Sequence, residues 1–104
     1  MSHSLAEVLM RDRRLVILRT LSEVQQFSSN EGILRQALQQ IGHPEASKDL
    51  VRADLEFLER HSLVRVEKLP MPSGELWVAH LLDDGLEVAN GRAHEGVARR
   101  TPGN

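Results

Sequence analysis

Residues 47–82 constrain the fold of this chain more than any other segment. Ser47 has a hydroxyl that commonly serves as a helix N-cap. After it, apolar side chains recur at helical spacing at Leu50, Val51, Leu55 and Leu58. This pattern predicts a helix over residues 48–61. The β-branched and apolar runs over residues 63–69 and 75–82 then predict two antiparallel strands. The turn-forming sequence LPMPSGE between them predicts a hairpin with a tip of six or seven residues.

Two further helical segments are predicted upstream. One apolar stripe begins at Leu5, and a second set runs from Leu15 to Val24 after the charged stretch MRDRR, so the segment forms one bent helix or two with Asp12 as a cap. The first stripe, Leu5, Val8 and Leu9, suits either core packing or a helix exchanged across a dimer interface.

The next helix carries the clearest periodicity in the chain. Its apolar residues are Ile33, Leu34, Ala37, Leu38 and Ile41. Ser28, Ser29 and Asn30 supply the capping chemistry before it. Gly42 and Pro44 end it, because glycine tolerates the left-handed closing position and proline cannot continue the helix.

The last predicted helix follows the second strand. Asp83 and Asp84 suit its first turn, Leu86, Val88 and Ala89 face inward, and Gly91 stops it. From Arg92 the periodicity is lost. We therefore expect one domain over residues 1–91 and a flexible basic tail over residues 92–104.

Two points of side-chain orientation stay open at this level. The second strand is apolar on both sides, so either the set Trp77, Ala79 and Leu81 or the set Leu76, Val78 and Leu82 faces the core. Asp54 lies next to the apolar stripe of its helix. We expect it to pair with an arginine of the first helix, such as Arg14 or Arg19.

Composition narrows the class of protein. The chain has 104 residues, 40% of them apolar and 27% charged, which is ordinary for a soluble single domain. It has no cysteine and no apolar run of signal-peptide or membrane-span length, so we expect a cytoplasmic protein without a membrane partner. Aromatic residues are too few to form a row on which single-stranded bases could stack.

Catalytic and metal-binding motifs are absent from the sequence. The five histidines lack the close spacings of metal ligands, and we expect them to be isolated surface or capping residues. No phosphate-binding glycine loop or nucleophile elbow occurs. We therefore expect neither an enzyme nor a cofactor.

The pattern SKDLVRADLEFLERHSLVRVE and the closing LLDDGLEVANG resemble a winged helix-turn-helix domain of the ArsR-like kind, and more narrowly the small winged-helix proteins of Mu-like prophages. The resemblance implies an α+β fold, mainly α. It would comprise three core helices, a two-stranded β-hairpin wing and a short C-terminal helix. It also implies a homodimer that binds double-stranded DNA through the third helix, with the wing on the backbone.

Carried over to this chain, the resemblance assigns DNA contacts to ten residues: Arg13, Arg14, Ser47, Lys48, Arg52, Ala53, Glu56, Lys68, Ser73 and Gly74. Arg52 is the candidate for guanine readout, because a guanidinium can donate two bonds to one base. Arg13, Arg14, Lys48 and Lys68 are expected on phosphates. The expected function is that of a prophage transcriptional regulator.

Charge leaves other functions open. The net charge is −2, and residues 47–61 carry three basic against four acidic side chains, so the reader helix is slightly acidic. An alternative is a protein-interaction module on the same scaffold, and a third is a structural dimer without a ligand. If Arg11, Arg13, Arg14, Lys48 and Arg52 share one face, DNA binding is favoured; acidic groups within that face favour a protein partner.

Overall fold

A computed structural model describes residues 4–100, which form an α+β fold. The elements, in chain order, are α1 (Leu5–Glu23), β1 (Ser28–Asn30), α2 (Glu31–Gln40), α3 (Lys48–Arg60), β2 (Val64–Met71), β3 (Gly74–Leu81) and α4 (Asp83–Ala89). The strands form one antiparallel sheet in the order β1-β3-β2. The predicted α+β class is thereby confirmed, but the predicted two-stranded hairpin is part of a three-stranded sheet.

The first helix is continuous, which decides between the two alternatives for this segment. Ser4 caps it by accepting a hydrogen bond from the Glu7 amide, and Asp12 lies inside it rather than at a break. The charged stretch does not interrupt the helix, because arginine is itself a good helix former. From Arg13 to Leu21, α1 buries one face against the other elements.

Strand β1 was not predicted from the sequence, because it directly follows a sharp turn and its last residue caps α2. Gln26 and Phe27 adopt left-handed backbone angles and turn the chain sharply. Ser28–Asn30 then pairs with His80, Ala79 and Val78 of β3. Asn30 also caps α2 by accepting a hydrogen bond from the Ile33 amide, as the sequence predicts.

The connection from α2 to α3 follows the sequence closely. Gly42 has a left-handed φ of 96° after the end of α2, and Ser47 accepts a hydrogen bond from the Leu50 amide at the start of α3. His43, in this connection, is buried and bonds to Asp12 and Glu45. The interpretation of every histidine as an isolated surface or capping residue is therefore wrong for His43.

The hairpin is longer and tighter than predicted. Met71 pairs with Gly74, so the tip has only two residues, Pro72 and Ser73, instead of six or seven. Gly74 takes a φ of 135°, which glycine allows at little cost, and the strands can therefore pair to the tip. Of the two inward sets, the structure selects Trp77 and Ala79, which are buried.

The C-terminal segment up to residue 100 is packed, contrary to the expected boundary at 91. Val97 is buried, and its neighbour Ala98 donates a backbone hydrogen bond to the carbonyl of Arg11. Gly96 lies so close to Phe57 that an added Cβ would be 2.1 Å from the ring. The sequence lacks periodicity here because the segment is an irregular strap. Residues 101–104 of the predicted tail lie outside the described residues.

One aliphatic core joins all helices and the inner face of the sheet. It includes Leu18, Leu21, Leu38, Val51, Leu55, Leu58, Ala79 and Val88. Gly85 lets α4 approach the turn between α3 and β2, since a Cβ there would be 2.0 Å from the Leu63 carbonyl oxygen. Within residues 4–100, no helix is both long and apolar enough to cross a bilayer.

Candidate nucleic-acid interface

The outer face of α3 lies beside the hairpin. Ser47, Lys48, Ala53 and Glu56 are all exposed on it, as the sequence predicts. Asp49 is exposed as well, so this face carries carboxylates next to Lys48. The helix itself therefore supplies little net attraction for a polyanion.

Arg52 is committed to partners within the protein. Its Nε and Nη2 atoms donate to the two carboxylate oxygens of Glu31 at 2.6 and 2.9 Å, and Nη2 also donates to the Glu75 carbonyl at 2.9 Å. The guanidinium lies 4.6 Å from the centre of the Trp77 ring. The structure thus gives Arg52 a different role from the predicted guanine contact: it joins α3 to α2 and β3.

Glu31 completes what we call the Glu31 cluster, formed by Glu31, Arg52, Glu75 and Trp77. The buried Glu31 carboxylate accepts a hydrogen bond from the Trp77 amide at 2.7 Å. Strand β1 pairs only with residues 78–80 of β3. Beyond that point the side chains of Glu31 and Arg52 form hydrogen bonds with the backbone amide of Trp77 and the backbone carbonyl of Glu75 at the edge of β3. The cluster fixes the base of the hairpin relative to α3.

The electrostatics of the cluster follow from this geometry. Hydrogen bonding from Arg52 lowers the pKa of Glu31, against the opposing effect of burial. The same hydrogen bonds raise the pKa of Arg52. Both groups are therefore held in their charged forms, and the pair is a neutral unit toward an external ligand.

A cleft of about 230 Å³ opens between α2, the start of α3 and β3. Arg35 and Lys48 line it together with Gly32 and Leu76, and Glu31 and Glu75 contribute its acidic side. Neither cation makes a hydrogen bond or ion pair within residues 4–100. Sequence reasoning missed Arg35, because only the tertiary packing of α2 on α3 brings this polar-face arginine next to Lys48.

The hairpin projects beyond this surface. Every residue from 67 to 75 is exposed, including the predicted contacts Ser73 and Gly74 at its tip. Lys68 lies directly opposite Trp77, with Nζ 4.4 Å from the ring centre. Lys68 and Arg52 thus flank the same ring. The structure thus brings Arg52 and Lys68 together at Trp77, and it places Lys48 in the cleft with Glu31 and Glu75.

Arg13 and Arg14 lie elsewhere, in the interior. Both donate to the buried carboxylate of Asp54, on the side of α3 that faces the core, and Arg14 also donates to the Gly96 carbonyl at 3.0 Å. Burial lowers the pKa of Arg14, and Asp54 opposes this effect. The predicted pairing of Asp54 with Arg14 is confirmed, whereas exposed phosphate contacts by Arg13 and Arg14 are incompatible with this burial.

The other described histidines, His61, His80 and His94, form contacts away from this region. His61 stacks on Phe57 at 4.2 Å between ring centres, and His94 meets His61 edge to face at 5.0 Å. Burial, followed by the neighbouring His61, lowers the pKa of His94. On the outer sheet face, His80 bonds to Ser28 at 2.6 Å and to Glu67 at 3.0 Å. These contacts serve the packing of the strap and the pairing of the strands.

Comparison with known proteins gives relatives from phage and bacterial sources. The chain is 40% identical over 97 residues to the uncharacterized protein gp26 of Escherichia phage Mu. The aligned residues cover 92% of this chain and 95% of gp26. It is 42% identical over 66 residues to an uncharacterized protein of Haemophilus influenzae, covering 64% and 63% of the two chains. No family model matches the chain. The predicted relation to Mu-like phage proteins is consistent with these similarities.

Proposed function

This chain belongs to the family of the phage Mu protein gp26, and we propose that it is a winged-helix protein that binds duplex DNA. The order of helix, strand, two helices and hairpin supports this proposal, because it sets an exposed helix beside a projecting ribbon. The observation that carries it is the cleft next to both elements, where Arg35 and Lys48 form no hydrogen bond or ion pair with another residue of 4–100. Two such cations at adjacent helices suit successive phosphates.

The contact surface is smaller than the sequence predicts. Lys48, Arg35 and Lys68 supply the available positive charges, and Ser47 and Ala53 present small side chains toward base edges. Arg52 positions the hairpin instead of reading a base. Three phosphate contacts per copy correspond to a slope of about −2.7 in a plot of log affinity against log salt. We therefore expect modest affinity with weak salt dependence for one copy.

The biological role proposed for this surface is transcriptional regulation of a phage or prophage, in the cytoplasm, by a homodimer. A dimer would present two contact surfaces, and its affinity would combine both. The proposal assigns no catalytic step and no cofactor to the chain.

A second candidate function is a protein-interaction module on the same scaffold. The charge placement favours it: Arg13 and Arg14 lie in the core, away from Lys48, and the exposed carboxylates of Asp49 and Glu56 interrupt the outer face of α3. A basic surface on another phage protein would complement this face. The two candidates differ in the partner and not in the surface.

The deciding experiment is retention of fragmented phage and host DNA by the purified protein at low salt, followed by sequencing. We expect a limited set of fragments to be retained, and we expect the double variant Arg35→Ala, Lys48→Ala to lose them. Arg60→Ala is the matched control, because Arg60 is an exposed cation at the far end of α3. No retained fragment at 50 mM salt would reject DNA binding and favour the protein partner.

A further inference from the structure

The outer face of α1 is apolar at its start and uncovered. The exposed fractions of Leu5, Val8 and Leu9 are 74%, 48% and 38%. Steps of three or four residues lead from Leu5 and Leu9 through Asp12 to Val16 and Thr20, so these residues share one side of the helix. A soluble chain rarely exposes neighbouring leucines on one helix face without a partner.

The other half of the same face borders an apolar groove. The groove has a volume of about 410 Å³ and lies between the C-terminal halves of α1 and α2. Its apolar lining comes from Val16, Val24, Ala37 and Ile41. Ile41 is 57% exposed, although it continues the apolar stripe of α2. One helix therefore carries an apolar ridge at one end and an apolar groove at the other.

We propose that a second copy of this chain occupies the groove, with the two α1 helices antiparallel. A two-fold axis near the middle of α1 places the ridge of each copy in the groove of the other, so that both apolar surfaces are covered at once. The helix of 19 residues is about 28 Å long, enough for the ridge and groove to meet side by side. A parallel pair would bring ridge against ridge and leave both grooves open.

Charge supports the antiparallel arrangement. Arg19 and Glu23 border the groove and form no hydrogen bond or ion pair through their side chains within residues 4–100. In the antiparallel pair, Glu23 comes close to the start of the partner's α1, where the helix dipole favours a carboxylate. The inference specifies the interface of the homodimer in the proposed function. It does not depend on DNA binding, and its test contains no DNA.

The first test is the mass in solution by sedimentation equilibrium. We expect the full chain to weigh twice its 11.7 kDa and both Val8→Asp and Ile41→Asp to raise the dimer dissociation constant at least 100-fold. Met71→Asp is the matched control: Met71 is 49% exposed, much like Val8, but lies at the hairpin tip. A monomeric wild type at 100 µM, or equal effects of all three variants, would overturn the proposal.

The second test uses the absence of cysteine from the chain. A mixture of Val8→Cys and Thr20→Cys proteins should form a disulfide between the two variants, while each variant alone should form far less. Both substitutions are on the surface of α1 and leave its core face intact. A dominant Val8→Cys homodimer would indicate parallel helices and reject the arrangement, and so would the absence of any cross-link.

Discussion

Replacing Arg52 by alanine tests the structural role of the Glu31 cluster. The change removes the two hydrogen bonds to Glu31 at 2.6 and 2.9 Å and the one to the Glu75 carbonyl at 2.9 Å. Glu31 is only 5% exposed, and its carboxylate would keep only the hydrogen bond from the Trp77 amide. A buried charge left without its partner costs about 3–5 kcal/mol.

The expected loss lies at the lower end of that range, about 3 kcal/mol, because water can reach the site once the long side chain is gone. For a domain of this size, the corresponding decrease in Tm is roughly 12–24 °C. In urea, the midpoint should fall by about 2 M if m is about 1.5 kcal/mol/M and unchanged. The protein should stay folded at 20 °C.

Two variants serve as controls. Arg65→Ala removes an exposed arginine on β2 and should change the free energy of unfolding by less than about 0.5 kcal/mol. Glu31→Gln keeps an acceptor for the Trp77 amide and should cost less than Arg52→Ala. If Arg52→Ala costs no more than Arg65→Ala, then Arg52 does not stabilise the fold through the Glu31 cluster.

Three other perturbations give distinct expected results. At acid pH the difference in the free energy of unfolding between wild type and Arg52→Ala should shrink. Arg52 lowers the pKa of Glu31, so the stabilisation by the charged Glu31 is present above the ordinary value of 4.5 and is lost as pH falls through the pKa of the folded state. Urea titrations at pH 7 and pH 3.5 measure this difference, and an equal difference at both pH values would contradict the prediction. Gly85→Ala should destabilise by at least about 2 kcal/mol, because its Cβ would be 2.0 Å from the Leu63 carbonyl, and an unchanged Tm would refute the close approach. Deleting residues 92–104 should lower the Tm by several degrees through loss of the buried Val97, whereas a tail without contacts would leave the Tm unchanged.

Much of the fold was predictable because local chemistry and the apolar pattern agree. Ser47 and Asn30 cap the helices they were expected to cap, and Leu34, Leu38, Val51 and Leu55 are buried at their helical spacing. The hairpin also follows from its two apolar runs. Boundaries at these elements come from side chains next to them in sequence, which is why a single sequence is sufficient to find them.

The failures have a common physical cause, namely contacts between residues distant in sequence. Arg13 and Arg14 are surface residues by pattern, but Asp54, some 40 positions away, compensates their burial. Arg52 similarly forms an ion pair with Glu31, and the segment over residues 92–100 is held in place by Val97, which is buried in the core. Arg35 joins Lys48 only after α2 packs on α3. The pairing of Asp54 with Arg14 was expected, because Asp54 lies beside the apolar stripe of its helix. The other partners are not visible in local periodicity.

Fluorescence anisotropy of a labelled duplex, titrated at several salt concentrations, tests the proposed DNA contact most directly. We expect a linear plot of log affinity against log salt with a slope of about −2.7 per bound copy, reduced by about 0.9 in Lys48→Ala and unchanged in Arg60→Ala. Equal slopes for Lys48→Ala and wild type, or no binding at 50 mM salt, would contradict DNA binding through the cleft between α2, α3 and the hairpin.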